Sequence, residues 1–423
     1  MKRYETYKDS GLQWLGEIPE HWKMSQMKRL FSFGKGLSIT KSDLVEDGVP
    51  VISYGQIHSK KNSGTSTNNH LLRYVPKSFI DGNDNSSVSI GDFIFADTSE
   101  DIEGCGNCVY IDREGVYAGY HAITAKSDRK NNKFFAYLFL TDLWRSQIRS
   151  MVYGVKVYSI TKQILSQVFL FVPPIKEQEV IVNFLDSIVG KIDCLISAKE
   201  KQVEDLQQYR SSVISEAVTC GLHPEVEFKD SGIEWIGKIP FHWDTYKLKY
   251  LVNLQSGTNL TAEQIQEDGL YPVYGGNGLR GYYNEFSNDG LFILIGRQGA
   301  LCGNINYTNG KFWATEHAVV CYPKKDFVTK WLGELLRAMN LNQYSESAAQ
   351  PGLSVERIKQ LVIPVPPIFE QQEIADYLDN KTSKIDATIQ ELNTQIEDLR
   401  QYKKSVISEA VTGKVDLRNW KPK

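Results

Sequence analysis

Six cysteines in 423 residues are too few for a disulfide framework, and the shortage suits a reducing compartment. The one CxxC, Cys105-Gly-Asn-Cys108, has no second CxxC or HxxxH to complete a zinc site, so it reads as two thiols beside a glycine turn. Long apolar runs are missing too. No window approaches the ~18 residues of a membrane span, and the initial MKRYETYKDS has two basic residues but no apolar segment behind them. A cytoplasmic chain is expected. There is no GxxxxGK[ST] to cradle phosphate. An Asn-Pro-Pro-Tyr-type methylase motif, an adenosylmethionine pocket and nuclease-like paired carboxylates are also lacking. His317, in ATEHAVV, sits in an apparent strand with no Ser or Cys elbow to serve. These absences exclude most enzyme classes and leave a binder with no catalytic residues, metal or cofactor of its own.

A basic excess is the remaining absence. The net charge is −3, where nucleic-acid-binding domains often carry a surplus of Lys and Arg. Lys+Arg against Asp+Glu is 21 against 18 for residues 1–174, 5 against 8 for 175–220, 13 against 15 for 221–367 and 9 against 10 for 368–423. Any basic surface must therefore be local.

What the chain does have is repetition. KDSGLQWLGEIPEHW begins at Lys8 and KDSGIEWIGKIPFHW at Lys229; residues 8–30 and 229–251 align without gaps and share twelve of twenty-three positions. VPPIKEQEVIVNFLDSIVGKID from Val172 returns as VPPIFEQQEIADYLDNKTSKID from Val365, and QYRSSVISEAVT (Gln208 to Thr219) as QYKKSVISEAVT (Gln401 to Thr412). The first pair is offset by 221 residues and the second by 193, so the intervening segment is 28 residues shorter in the second half. Those segments barely resemble each other. One scaffold is thus duplicated around two different inserts, which suggests two readers of different targets.

After each VPP the pattern turns helical, because Pro173-Pro174 and Pro366-Pro367 fix an extended entry. Leu378, Ile385, Leu392, Leu399 and Val406 recur every seven residues, with Ile389 and Ile396 in the intervening seam; Leu185, Ile192, Leu206 and Val213 with Ile196 and Val203 repeat this, interrupted at Lys199. A helix from about Glu177 to Thr219 spans ~65 Å. A seam sustained over four to five heptads predicts that the two helices pair antiparallel as a coiled coil, rather than each packing only on its own domain.

Insert one (about 25–171) and insert two (about 246–364) show short apolar runs broken by Gly and Asn turns, each ending in a helical segment from Asn131 or Asp326. The expected class is α/β or α+β. The loops hold side chains suited to base edges and phosphates. In the first insert these are Lys35, Gln56, Lys60, Lys61, Asn62, Tyr153, Lys156 and Tyr158; in the second, Asn277, Arg280, Tyr282, Tyr283, Arg297, Gln298 and Gln350. Each has a bland counterpart: a plain hairpin for Gly275-Gly276-Asn277-Gly278, an ion pair for Arg297, a solvated turn for Lys60-Lys61. His21 and His242, beside tryptophans in the repeated HW pair, read as packed and hydrogen-bonded rather than catalytic.

The "G-x-x-W-x-G-x-I-P-x-H-W" entry, the "VPP-I-x-EQ" exit, the heptads ending in SVISEAVT and the "YPVYGGNGLRGY … LIGRQGALCGNI … FWATEHAVV" run together resemble the specificity subunit of type I restriction-modification enzymes, over essentially the whole chain. VPVISYGQI and GDFIFADTSE in insert one resemble the counterpart runs, without the glycine-arginine-glycine element. The resemblance implies two target-recognition domains (1–172 and 221–365) and two antiparallel spacer helices (173–220 and 366–413) with a tail (414–423), in a pseudo-twofold repeat. It also implies a split, asymmetric double-stranded DNA target, two docked N6-adenine methyltransferase subunits and two motor-nuclease subunits for restriction. S-adenosylmethionine would belong to the former, ATP and magnesium to the latter. A duplicated protein-binding scaffold that never touches DNA is the alternative class.

Overall fold

The computed structural model describes residues 2–11, 16–129, 131–154, 156–299, 301–345 and 352–422. The chain divides into two compact units, Met1–Ala198 with Gln395–Lys423, and Lys199–Thr394. Two long helices cross the division: α1 (Ile175–Cys220, 46 residues) and α2 (Ile368–Val411, 44 residues). In the first unit, Ile181, Leu185 and Val189 of α1 share a core with Val406, Ile407, Ala410 and Val411 of α2; in the second, Val213, Ala217 and Val218 share one with Ile374 and Leu378. The start of one helix thus lies with the end of the other, an antiparallel arrangement.

The register is the same in both units. Lys403 Nζ reaches Asp193 at 2.7 and 2.9 Å in the first, and Arg210 reaches Asp386 at 2.8 and 3.1 Å in the second. From 193 to 210 is seventeen residues forward on α1, and from 403 to 386 is seventeen back on α2. Both ion pairs join the repeated KID to the repeated QYR or QYK. Of the seam residues, Leu185, Ile192, Ile196, Val213, Leu378, Ile385, Ile396 and Val406 are buried, whereas Val203, Leu206, Ile389, Leu392 and Leu399 are half-buried. The latter lie in the helix middles, away from the globular cores, where a two-helix seam covers a side chain from one direction only.

The repeated words at the joints do one job in each unit. The strand after HW pairs antiparallel with the strand before VPP: Lys23–Gln26 with Phe169–Val172, and Asp244–Lys247 with Val362–Val365. The prolines end that strand, and the Pro174 carbonyl opens α1 by accepting from the Glu177 and Gln178 amides. This pairing sets the buried Trp22 beside the first turn of α1. Trp22 Nε1 donates to Glu177 Oε1 at 3.0 Å, His21 Nε2 lies 2.8 Å from Oε2, and the Tyr4 hydroxyl donates to the same carboxylate. The second unit repeats it: Trp243 Nε1 donates to Glu370 Oε2 at 2.9 Å and His242 Nε2 lies 2.6 Å from Oε1. A buried carboxylate is costly unless every lone pair is met, and the positive end of the helix favours it as well. Burial and Glu177 together push the Tyr4 phenol well above its usual range. The next residue of each EQ pair, Gln178 or Gln371, donates to the Pro173 or Pro366 carbonyl at 2.7 or 2.9 Å.

The same tryptophans also receive the opposite helix. α1 ends at Gly221 (φ 75°) and α2 at Gly413 (φ 72°), the left-handed cap that glycine adopts without strain. A Cβ at Gly221 would stand 3.2 Å from the Trp243 ring, and one at Gly413 would stand 2.4 Å from Pro19 and 3.2 Å from Trp22. Each joint therefore grips one helix start and one helix end. A further pair of clamps reaches the inserts: Lys133 and Tyr137 bind Asp186 at 2.8 and 2.6 Å, and Lys330 binds Asp379, its repeat counterpart, at 2.8 Å. Trp14 of the first copy lies outside the described residues, while Trp235 packs against the core of the second unit.

The inserts differ in sequence yet share one topology, which their composition alone did not reveal. In the first unit β1 (Ser32–Phe33), β2 (Val49–Ile52), β3 (Arg73–Val75), β4 (Ser87–Val88), β5 (Phe93–Ala96), β6 (Cys108–Tyr110), β7 (Val116–Ala118) and β8 (Ala122–Lys126) form two sheets, ordered β1-β8-β5-β6 and β3-β2-β7-β4. In the second, β9 (Val252–Ser256), β10 (Tyr271–Gly275), β11 (Gly278–Tyr283), β12 (Asn288–Asp289), β13 (Phe292–Gly296), β14 (Ile305–Thr308), β15 (Lys311–Ala314) and β16 (Ala318–Pro323) form β9-β16-β13-β14 and β11-β10-β15-β12. Adding eight to each strand of the first unit yields the second, including one parallel pair, β2 with β7 and β10 with β15. The helical run from Asn131 is two helices, Lys133–Phe139 and Asp142–Arg149, the second capped by Thr141 Oγ1 accepting from the Trp144 amide.

Cys105, Cys108, Cys302 and Cys321 are buried free thiols, whereas Cys194 is exposed on α1. Burial pushes the Cys108 thiol up to about 12 and Cys321 higher still. Iodoacetamide at pH 8 is expected to label Cys194 in the native protein and to reach Cys108 and Cys321 only after unfolding, since the thiolate is the nucleophile. Peptide mass spectrometry reads the result; native labelling of Cys108 at the Cys194 rate would contradict this burial.

Candidate nucleic-acid interface

Four chain crossings meet at one end of the two sheets in each unit. In the second unit they are the end of β9 at Ser256–Gly257, the Gly275–Gly278 hairpin, the turn after β13 at Arg297–Gln298 and the turn before β16 at Thr315–His317. Backbone bonds knit them: Gly257 N to Ala318 O, Thr258 N to Ala314 O, Thr315 N to Tyr274 O and Arg297 N to His317 O, all 2.9–3.0 Å. The approach is close enough that a Cβ at Gly296 would stand 1.8 Å from the Gly276 carbonyl oxygen. The glycines of YGGNG and IGRQG are there for this contact.

The first unit builds the same junction from other residues. Gly36 N bonds to Ala122 O, Leu37 N to Ala118 O, Gly119 N to Ile52 O and Asp97 N to His121 O, at 2.8–3.2 Å. A Cβ at Gly36 would stand 1.9 Å from the Gly119 oxygen.

The expected interface residues fall into three groups. Asn277, Arg280, Arg297 and Gln298 come together around the second junction. Asn277 is exposed at the hairpin tip, 3.5 Å from Asn304; Arg280 and Gln298 are exposed; half-buried Arg297 reaches Ser256 Oγ at 3.4 Å. Lys35 and Tyr158 sit at the first junction. Exposed Lys35 lies between Gly34 and Gly36, and Tyr158 pairs with Ser99, two residues after Asp97; Tyr153, 87% exposed, and Lys156 precede it in the same loop. The remainder, Gln56 at the edge of the first junction excepted, lie further along the chain from these turns. Tyr282 and Tyr283 are half-buried further along β11, the latter edge-on to Trp313. Gln56 closes a capping box on Ser53. Asn62 donates to the Ile57 and Cys108 carbonyls at 2.8 and 3.0 Å and accepts from Gly64, so its amide braces a loop; Lys60 and Lys61 are exposed on the turn beside it. Gln350 lies outside the described residues.

Sequence reasoning missed three residues at the junctions. His317 lies in the turn before β16 rather than in a strand, and Asp97 and His121 were not singled out. The available signal was short: His121-Ala122 and His317-Ala318 begin equivalent strands. His121 has φ 51°, a left-handed conformation rare outside glycine. Its Nδ1 lies 3.2 Å from Asp97 Oδ1, while His317 Nε2 lies 3.0 Å from Glu316. Tyr54 packs on His58 at 4.7 Å and faces His121 at 6.3 Å. Among the described residues no group of three or more His, Cys, Asp or Glu is placed to hold a metal ion, and no helix is long and apolar enough to cross a membrane. The junctions offer hydrogen-bond donors, acceptors and aromatic faces, which suits recognition of a polar surface.

Comparison with known proteins agrees. The family model "Type I restriction modification DNA specificity domain" matches twice, over residues 19–205 and 240–398. The EcoprrI specificity subunit of Escherichia coli is 46% identical over 133 residues, covering 30% of this chain and 33% of that protein. The EcoKI specificity subunit of E. coli strain K12 is 20% identical over 95% of this chain and 90% of its own length. Among solved structures, one from work on complex assembly and conformational transition of the type I R-M system aligns over 94% of this chain and 99% of that one, with a TM-score of 0.70 at 14% identity. The HsdS subunit of Thermoanaerobacter tengcongensis aligns over 96% and 100%, with a TM-score of 0.50 at 15% identity. With the duplicated joints, the antiparallel helices and a family match to both halves, the chain belongs to the DNA specificity subunits of type I restriction-modification systems.

Proposed function

We propose that this chain reads a split, asymmetric DNA sequence with two target-recognition domains, residues 1–172 and 221–365, and that the helices at 173–220 and 366–413 set the distance between half-sites. The observation that carries the proposal is the pair of junctions: one backbone framework, repeated bond for bond, presenting different side chains. Different loop residues on a common frame read different sequences. The candidate DNA contacts are the fifteen residues named above, with Arg297, Gln298, Asn277, Arg280, Lys35 and Tyr158 closest to the junctions. In this reading the chain has no catalytic role. Two modification subunits supply S-adenosylmethionine and N6-adenine methylation, motor-nuclease subunits supply ATP- and magnesium-dependent cleavage, and the complex works in the cytoplasm. The partners also supply much of the phosphate neutralisation that a net charge of −3 leaves wanting.

Exchanging residues 246–364 for those of another specificity subunit is expected to change one half of the methylated sequence and leave the other half and the gap intact. Methylated-adenine mapping in cells carrying the chain and its modification subunit reads this directly. A single uninterrupted motif would refute the two-reader model. Failure of the assembled complex to shift DNA at any salt concentration would leave only the protein-scaffold reading.

A further inference from the structure

At one pair of equivalent residues in the two junctions the units carry opposite chemistry. Asp97 follows Ala96, the last residue of β5, and Arg297 follows Gly296, the last of β13; Ala96 pairs with Ala122, and Gly296 with Ala318. Each residue is tied on both sides of its α-carbon. Asp97 N donates to His121 O at 3.2 Å and its carbonyl accepts from Ile160 N at 2.7 Å; Arg297 N donates to His317 O at 2.9 Å and its carbonyl accepts from Leu353 N at 2.9 Å. Both side chains therefore leave equivalent, fixed points of the frame.

An ionised Asp only accepts hydrogen bonds, and Arg only donates. The Asp97 carboxylate is about one-third exposed, with Oδ1 held toward His121. Among the described residues, the Arg297 guanidinium makes one hydrogen bond, the long one to Ser256.

Building on the DNA-reading proposal above, we propose that residues 97 and 297 are paired specificity determinants: Arg297 reads a guanine through O6 and N7, and Asp97 reads a cytosine through its N4 amino group. These are the base edges that match a donor fork and an acceptor in the major groove. The missing glycine-arginine-glycine element of the first insert is then a change of letter at one position rather than the loss of a site.

The test uses the complete complex with its modification subunits, methylating a DNA library randomised over both half-sites, with sequencing as the readout. Arg297→Gln is expected to move one position of one half-site from guanine toward adenine, with an about ten- to hundred-fold loss for the original base. Arg297→Lys should retain guanine. Asp97→Asn should move one position of the other half-site from cytosine toward adenine. An unchanged motif in R297Q and D97N overturns the assignment, as does uniform weakening across all sequences with a reduced salt slope, the signature of a phosphate contact. Loss of all methylation in all three variants, with unaltered thermal unfolding and subunit assembly, also overturns it. An uninterrupted wild-type motif instead defeats the underlying DNA reading, so the two failures are distinct.

Discussion

Trp243→Ala is expected to destabilise the second unit by about 3–5 kcal/mol, the range for a large aromatic removed from a packed core. Trp243 is fully buried and its indole N–H holds Glu370 in the first turn of α2. Its ring also lies against Gly221 at the end of α1. The substitution opens a cavity and strands a buried carboxylate in one step. Glu370→Ala should cost less, about 1–3 kcal/mol, because it leaves the indole N–H unmet but keeps the ring. Denaturant unfolding of the full chain measures both. Hydrogen exchange should localise the damage to the first turn of α2 and the last turn of α1, with Trp22→Ala producing the mirror result at Glu177 and Gly413. A loss below about 1 kcal/mol for W243A would show that the joint is decorative rather than a clamp.

Lengthening the helices should move the half-sites apart. Four residues add ~6 Å of helix, close to two base pairs at ~3.4 Å each. The shared register specifies how to do it. An insertion after Ser197 in α1 needs a matching one after Asp398 in α2, because a one-sided insertion cannot keep both the Asp193–Lys403 and Arg210–Asp386 pairs in one register. The matched variant is expected to methylate best on targets whose gap is about two base pairs longer, with wild-type half-sites. The one-sided variant should lose activity at every gap rather than shift its optimum. Methylation of substrates with graded gaps distinguishes these outcomes. An unchanged optimum in the matched variant would sink the spacer argument.

The joints and the helices were legible because they are spelled twice: KDSG, IP, HW, VPP, EQ and the heptads each occur in both halves. Their use was less visible. Nothing local ties His21 and Trp22 to Glu177, 156 and 155 residues away; the pairing of Lys23–Gln26 with Phe169–Val172 brings them together. The common topology of the inserts was hidden for a different reason. A buried strand requires apolar bulk but not identity, so Phe93-Ile94-Phe95 and Ile293-Leu294-Ile295 occupy matching sheets with little in common to read. Asn62 shows the converse. An Asn in a polar loop suggests base reading, and the sequence does not show that its amide also braces the loop through three backbone groups. Asp97 escaped notice because an acidic residue in a search for DNA contacts looks like the wrong sign.

The division of the chain also sets an order of events during synthesis. The second unit is one contiguous stretch, Lys199–Thr394, whereas the first is completed only when Gln395–Lys423 returns to it. At 5–20 residues per second, residues 199 to 423 take about 10–45 s to emerge. Throughout that wait Ile181, Leu185 and Val189 on the first half of α1 lack Val406 and Val411, which later cover them. The unit that begins first is therefore finished last, and an apolar face of its nascent helix waits for residues 395–423 to cover it.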